Sequence, residues 1–145
     1  MYFLGIGTAR DRQAGLSWYR RAVAAGDPGA LVFLSGFERQ SGRYSEAKAM
    51  LDKAASQNYP LAFIQLGYLY DHGFGVERDT RRARQYYEEA ASQGYVFAKR
   101  LIAGQLLRGQ DGLIGIPRGL LMLLSAVREY LKIRIRDPHS EKIRR

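Results

Sequence analysis

Residues 69–94 read LYDHGFGVERDTRRARQYYEEAASQG, and residues 1–26 read MYFLGIGTARDRQAGLSWYRRAVAAG. Laid over each other at an offset of 68 residues, Tyr70 meets Tyr2, Gly73 meets Gly5, Gly75 meets Gly7 and Asp79 meets Asp11. Tyr87 then meets Tyr19, Ala90 meets Ala22 and Gly94 meets Gly26. Self-similarity at a fixed spacing signals stacked copies of one unit, not a central ball of core. The unit recurs between these copies. An Ala followed eight residues later by another occurs at Ala22/Ala30, Ala54/Ala62 and Ala90/Ala98. The steps from Ala22 to Ala54 to Ala90 are 32 and 36 residues, and Ala126 lies another 36 along. Periods of this size belong to helix–turn–helix solenoids.

Local signals place the helices. Asp27-Pro28 is a start, since Asp caps free amides and Pro suits the first helical position. That helix runs to about Gln40, and Ser41-Gly42 breaks it. Tyr44 to Gln57 follows, with Ala47, Met50, Leu51 and Ala54 on one face. Asn58-Tyr59-Pro60 repeats the stop and restart, giving a helix from Pro60 to His72. Gly73-Phe74-Gly75 forces a turn. Asp79 caps a helix to about Gln93, and Gly94 ends it. Tyr95 to Arg108 is another helix, Gln110 to Ile116 a loop, and Pro117 to about Arg134 the last helix. With a first helix over about Asp11 to Ala25, the expectation is seven helices in antiparallel pairs.

Composition narrows the function classes. The chain has 145 residues, no Cys and two His, so a disulfide framework, a thiolate metal site and a zinc site are all disfavoured. No apolar run reaches membrane-spanning length. The opening MYFLGIG lacks the basic start and long apolar stretch of a signal peptide, so a cytoplasmic location is expected. A periplasmic protein or lipoprotein is the alternative if the chain is a fragment. The net charge of +9 invites acidic partners or nucleic acid. Part of it sits in a tail, residues 135–145, expected to be frayed and solvated. A nucleic-acid-associated module is therefore the alternative function, although no aromatic–basic stripe of the single-strand-binding kind is present.

At Ala62-Phe63-Ile64-Gln65-Leu66-Gly67-Tyr68-Leu69-Tyr70, then Gly73, Gly75-Val76, Asp79, Ala83, Tyr86-Tyr87, Ala90-Ala91 and Gly94, the chain resembles a Sel-one-like repeat, a relative of the tetratricopeptide repeat. The resemblance is dense over residues 62–94 and fades elsewhere. The unit at 30–61 lacks the GxGV insertion and has Ser35 and Glu38 in place of Gly and Tyr. The unit at 98–130 has Ala103 for Gly, Leu106 for Tyr and Gly115 for the capping Asp. The resemblance implies an all-α fold, an α/α solenoid wound as a right-handed superhelix, with units at about 1–26, 27–58, 59–94 and 95–134. Met1 then falls at the end of a first helix, so the chain opens on an unpaired second helix bearing Trp18, Tyr19 and Ala22.

No catalytic constellation stands out, and no cofactor is expected. Gly5-Gly7 and Gly73-Gly75 continue as neither a dinucleotide nor a phosphate loop. Glu88 and Glu89 are adjacent on a helix and diverge. His72 has no Cys or acidic partner at ligand spacing. The resemblance implies a bacterial-type, non-catalytic scaffold that binds a protein or peptide on the concave face, lined by the first helix of each pair. The positions carried over are Val32, Gly36, Arg39 and Gln40; Ile64, Tyr68, Asp71 and His72; and Arg100, Gly104, Leu107 and Arg108. Their basic character suits an acidic or carboxylate-ended peptide, which Arg holds by bidentate hydrogen bonds.

The last helix departs from its predecessor. Arg84, Gln85 and Glu88 become Leu120, Leu121 and Leu124, which with Met122 and Leu123 make a helix apolar all round. Such a helix is expected to be buried. The candidate covers are the tail (Ile133, Ile135, Ile143), a different partner, or a second copy in a twofold dimer.

Overall fold

A computed structural model describes residues 9–109, 112 and 115–136. They form seven helices: α1 (Ala9–Ala24), α2 (Pro28–Gln40), α3 (Tyr44–Ser56), α4 (Pro60–His72), α5 (Thr80–Ser92), α6 (Val96–Leu107) and α7 (Gly115–Arg136). No strand occurs among the described residues, and the fold is an all-α solenoid of helix hairpins. The expected boundaries hold for α2 and α4 and fall within two residues for α3, α5 and α6. Helix α7 differs most: it starts at Gly115 and runs to Arg136. Pro117 thus sits inside the first turn, where amides have no intrahelical acceptor and the missing N–H costs little. The opening glycines Gly5 and Gly7, and the tail beyond Arg136, lie outside the described residues.

One device stops four of the helices: at α2 it is Gly42 at φ 75°, with the Arg43 amide on the Glu38 carbonyl at 2.8 Å, and at the other three the acceptor is an alanine. Gly26, Asn58 and Gly94 all have positive φ, at 87°, 58° and 85°. Asn58 is the single non-glycine among the described residues in that region, which Asn tolerates better than most side chains. At each of these three the next amide reaches back to an alanine carbonyl: Asp27 to Ala22 at 3.0 Å, Tyr59 to Ala54 at 3.3 Å, Tyr95 to Ala90 at 3.2 Å. The left-handed residue itself bonds to the following carbonyl, as Gly26 does to Val23 at 2.9 Å. These are Schellman closures, which satisfy carbonyls that the ended helix orphans. The recurring Ala is thus both a backbone acceptor and, at Ala54 and Ala90, a seat with no exposed surface.

The restart is as regular. Asp27 accepts from the amides of Gly29 at 2.7 Å and Ala30 at 3.4 Å. Asp79 accepts from Arg82 at 2.9 Å. Such caps are worth about 1 kcal/mol each. Between α4 and α5, Gly73 and Gly75 at φ 73° and 68° bend the chain, and the Asp79 amide closes on the Tyr70 carbonyl at 2.9 Å. Val76 then plugs the corner, half-buried against the core cluster that includes Tyr70, Ala83 and Tyr87.

The chain divides into two compact units, split between Ala62 and Phe63. The first packs α2 on α3 through Ala30, Leu31, Leu34, Ala47, Leu51 and Ala54, all buried. Helix α1 joins α2 by stacking Tyr19 on Phe33, with ring centroids 3.8 Å apart, while Trp18 stays 68% exposed. In the second unit, Tyr70 of α4, Ala83 and Tyr87 of α5, and Ile102 and Leu106 of α6 share one core, with Met122 of α7 against it. The helices approach closely because small residues permit it. A Cβ on Gly67 would lie 2.4 Å from Cε1 of Tyr87. Ala62 and Ala98, the matching seats in successive units, are both fully buried.

Candidate interaction face of the second unit

The twelve positions carried over from the repeat do not all reach the surface. Val32 and Ile64 are buried at 8% and 5% exposure, so they belong to the core and leave the candidate set. Each lies in an apolar run whose inward arc is wider than a repeat pattern resolves. Leu107 is turned toward α7, its Cγ 3.0 Å from where a Cβ on Gly119 would stand. In the first unit, Gly36 and Arg39 are half-buried and Gln40 is exposed, all on α2.

The rest gather on α4 and α6 of the second unit. Asp71, near the end of α4, is 7% exposed, and its carboxylate meets two donors from α6. Gln105 Nε2 donates at 3.1 Å and Arg108 Nη2 at 3.2 Å. Gln105, itself fully buried, also donates to the Thr80 carbonyl at 3.4 Å and accepts from Arg84 Nε at 3.4 Å. A buried carboxylate is tolerable because it is paired and hydrogen-bonded. Asp71 thereby orients Arg108, whose side chain remains 58% exposed.

Two features surround that guanidinium. Arg100 and Gly104 of α6 and Arg108, the residue that caps its C-terminus, fall four residues apart and share one face. The space over Gly104 is open: a Cβ there would meet only Arg108 Nη1, at 3.5 Å. Arg100 lies over the Phe97 ring at 5.4 Å. On the α4 side, Tyr68, His72 and Phe74 form an aromatic shelf, with ring centroids 4.1 Å apart for Tyr68–His72 and 5.6 Å for His72–Phe74. His72 Nδ1–H donates to the Tyr68 carbonyl at 3.0 Å, which fixes the ring. Behind the face, the Tyr87 hydroxyl is buried with no hydrogen-bond partner among the described residues. Burial, and secondly the Asp71 charge, hold its pKa well above the ordinary tyrosine value.

Gln105, Phe74 and Tyr87 were not among the sequence-marked site residues. Gln105 carried one usable signal, a lone polar residue inside the apolar run LIAGQLL. The group can orient an anion and present aromatic surface. No cluster of metal-ligating side chains occurs among the described residues. No helix among them is long and apolar enough to cross a membrane.

The described residues leave part of helix α7 uncovered. It is not buried all round: Leu120 is 53% exposed, and Leu121 and Leu124 are 67% exposed. Gly115, Gly119 and Ala126 form its inward arc, and Lys99 Nζ of α6 ties it down by donating to Glu129 at 2.6 Å. The leucines lie on arcs rotated away from that contact.

The profile of the family described as Sel1 repeat matches residues 1–27, 37–59 and 61–95. The chain is 30% identical over 82 residues to the ERAD-associated E3 ubiquitin-protein ligase component HRD3 of Candida glabrata, covering 57% of this chain and 10% of that protein. It is 32% identical over 112 residues to the chitin synthase regulator SKT5 of Saccharomyces cerevisiae, covering 71% of this chain and 15% of that one. The crystal structure of a Sel1 repeat protein from Oxalobacter formigenes superposes with a TM-score of 0.76 at 28% identity, over 89% of this chain and 54% of the other.

Proposed function

The chain belongs to the Sel1-repeat family, and from that premise we propose that it is a non-catalytic scaffold whose α4–α6 face holds an acidic or carboxylate-ended peptide. Repeats of this family are in general protein-interaction scaffolds. The two curated relatives are by their descriptions a component of one enzyme assembly and a regulator of another enzyme. The observation that carries the finer reading is the Asp71–Arg108 pair. A buried carboxylate holds an exposed guanidinium in one orientation, so a ligand carboxylate meets a donor fork that is already placed. Arg100 supplies a second positive charge on the same face, Gly104 lets a ligand backbone come close, and Tyr68 and His72 offer apolar rings beside it.

Selection from a displayed random-peptide library against the chain tests this reading. The recovered peptides should be acidic, and their affinity should fall with added salt. Arg108→Gln should weaken binding by roughly tenfold, the value of one charge-assisted hydrogen bond. Peptides of no common charge, or binding indifferent to both Arg100→Gln and Arg108→Gln, would contradict it. Preferential binding of random single-stranded DNA would favour the nucleic-acid alternative instead.

A further inference from the structure

Helix α7 carries a row of large apolar side chains that the second unit leaves uncovered. Leu120, Leu124, Val127, Leu131 and Ile135 are 53, 67, 53, 51 and 83% exposed. Their spacing of four, three, four and four residues puts them on one stripe of the helix. Beside the stripe runs a short basic row, Arg128 and Lys132, with Arg134 on the other flank, all exposed. The single acidic residue of α7, Glu129, is engaged by Lys99.

The repeat itself shows what such an arc receives. One period earlier, Leu120 corresponds to Arg84 and Val127 to Ala91 of α5. Arg84 Nε donates to Gln105 of α6, and Ala91 packs on the core that α6 shares. On α5, therefore, the Arg84–Ala91 edge of this arc seats the next helix, while Glu88, the counterpart of Leu124, is exposed. On α7 the same arc is apolar, bordered by positive charge, and unoccupied by any described residue.

We propose that this face of α7 docks an amphipathic helix with acidic flanks, supplied by a partner protein. The leucine stripe takes the apolar side of that helix, and the basic row meets its carboxylates. A second copy of this chain fits less well: antiparallel twofold pairing of α7 with itself sets the two basic rows side by side, and like charges oppose docking. Residues 137–145 supply one large apolar side chain, Ile143, against a stripe of five. This face is separate from the Arg108 site, so either proposal can fail alone.

The test uses a fluorescein-labelled helical peptide of about eighteen residues, long enough to hold a helix on docking, with leucine on one face and glutamate on the others. The control has lysine for glutamate. Fluorescence anisotropy with the full chain should show binding of the glutamate peptide only, weakening as salt rises. Leu124→Gln and Leu131→Gln should each weaken it by roughly ten- to a hundredfold, the equivalent of one buried leucine. The double change Arg128→Glu with Lys132→Glu should move the preference to the lysine peptide. Unchanged far-ultraviolet circular dichroism of each variant shows that the fold is intact. Three results would overturn the proposal. The chain alone could sediment as a dimer that Leu124→Gln dissociates. It could bind vesicles containing phosphatidylglycerol while ignoring the glutamate peptide. Or the two peptides could bind equally.

Discussion

Hairpins α4–α5 and α6–α7 are built on the same plan with the glycine on opposite sides. In α4–α5 the close crossing is Gly67 against Ala83, where an added Cβ would lie 3.0 Å from the Ala83 carbonyl oxygen. One period later Gly67 becomes Ala103 and Ala83 becomes Gly119. There an added Cβ on Gly119 would lie 3.1 Å from the Ala103 carbonyl oxygen. These two hairpins set one glycine against one alanine without fixing which helix carries the glycine, and in α2–α3 the buried Ser35 and Ala47 hold the matching seats. The family profile stops at residue 95, yet the next hairpin forms all the same. The two differ on the remaining arc, where Arg84, which bonds to Gln105 of α6, and the exposed Gln85 and Glu88 give way to Leu120, Leu121 and Leu124. Small-residue seats fix the scaffold and leave the remaining arcs free to vary.

The comparison can be broken first at the cores. Tyr87 is fully buried in the α4–α5 crossing, whereas Met122 is half-buried on α7. Tyr87→Ala should cost about 3–5 kcal/mol, and Met122→Ala less than half as much. Urea unfolding of both variants checks the ranking, and equal losses would mean that the two cores bear load alike.

A subtler probe is the Tyr87 hydroxyl, whose pKa is raised by burial and by Asp71. A raised acid pKa means that the unfolded chain releases its proton first as pH rises. Stability is therefore retained below the ordinary tyrosine value and lost as pH climbs through it, from about 10 upward. Tyr87→Phe should remove that alkaline component and, by deleting an unpartnered buried hydroxyl, raise stability near neutrality by roughly 1 kcal/mol. Thermal unfolding followed from neutral to alkaline pH reads both effects. The smallest effect belongs to the outer arc: at 67% exposure, Leu121→Gln should shift stability by no more than about 0.5 kcal/mol. A larger loss would mean that the leucines of α7 are core after all.

Much of the fold was legible because its punctuation is local. Pro28, Pro60 and Asp79 start helices, and Gly26, Asn58 and Gly94 stop them, through backbone chemistry that needs no distant contact. The start of α7 was less legible because Pro117 is tolerated through the whole first turn. Of the candidate positions, the fold brings some together and buries others. Arg100, Arg108, Asp71, Tyr68 and His72 followed from the repeat, but the role of Gln105 depends on which way α6 rotates, which no single helix pattern records. Val32 and Ile64 were misplaced for the same reason. The composition of α7 called for a cover, and no described residue covers the exposed arc of Leu120, Leu121 and Leu124.

Glycine is required at the α4–α5 crossing, where Tyr87 leaves no room for a Cβ, and is dispensable at Gly104, where the space is open. Urea unfolding of Gly67→Ala beside Gly104→Ala tests it with one chemical change on neighbouring helices. At Gly67 the new Cβ meets Tyr87 ring carbons at 2.4 and 2.7 Å, and the variant should lose roughly 1–3 kcal/mol to overpacking. At Gly104 it meets nothing nearer than 3.5 Å, and the variant should gain up to about 1 kcal/mol from helix propensity. Opposite signs are the predicted result, and two variants that both gain stability would contradict the account.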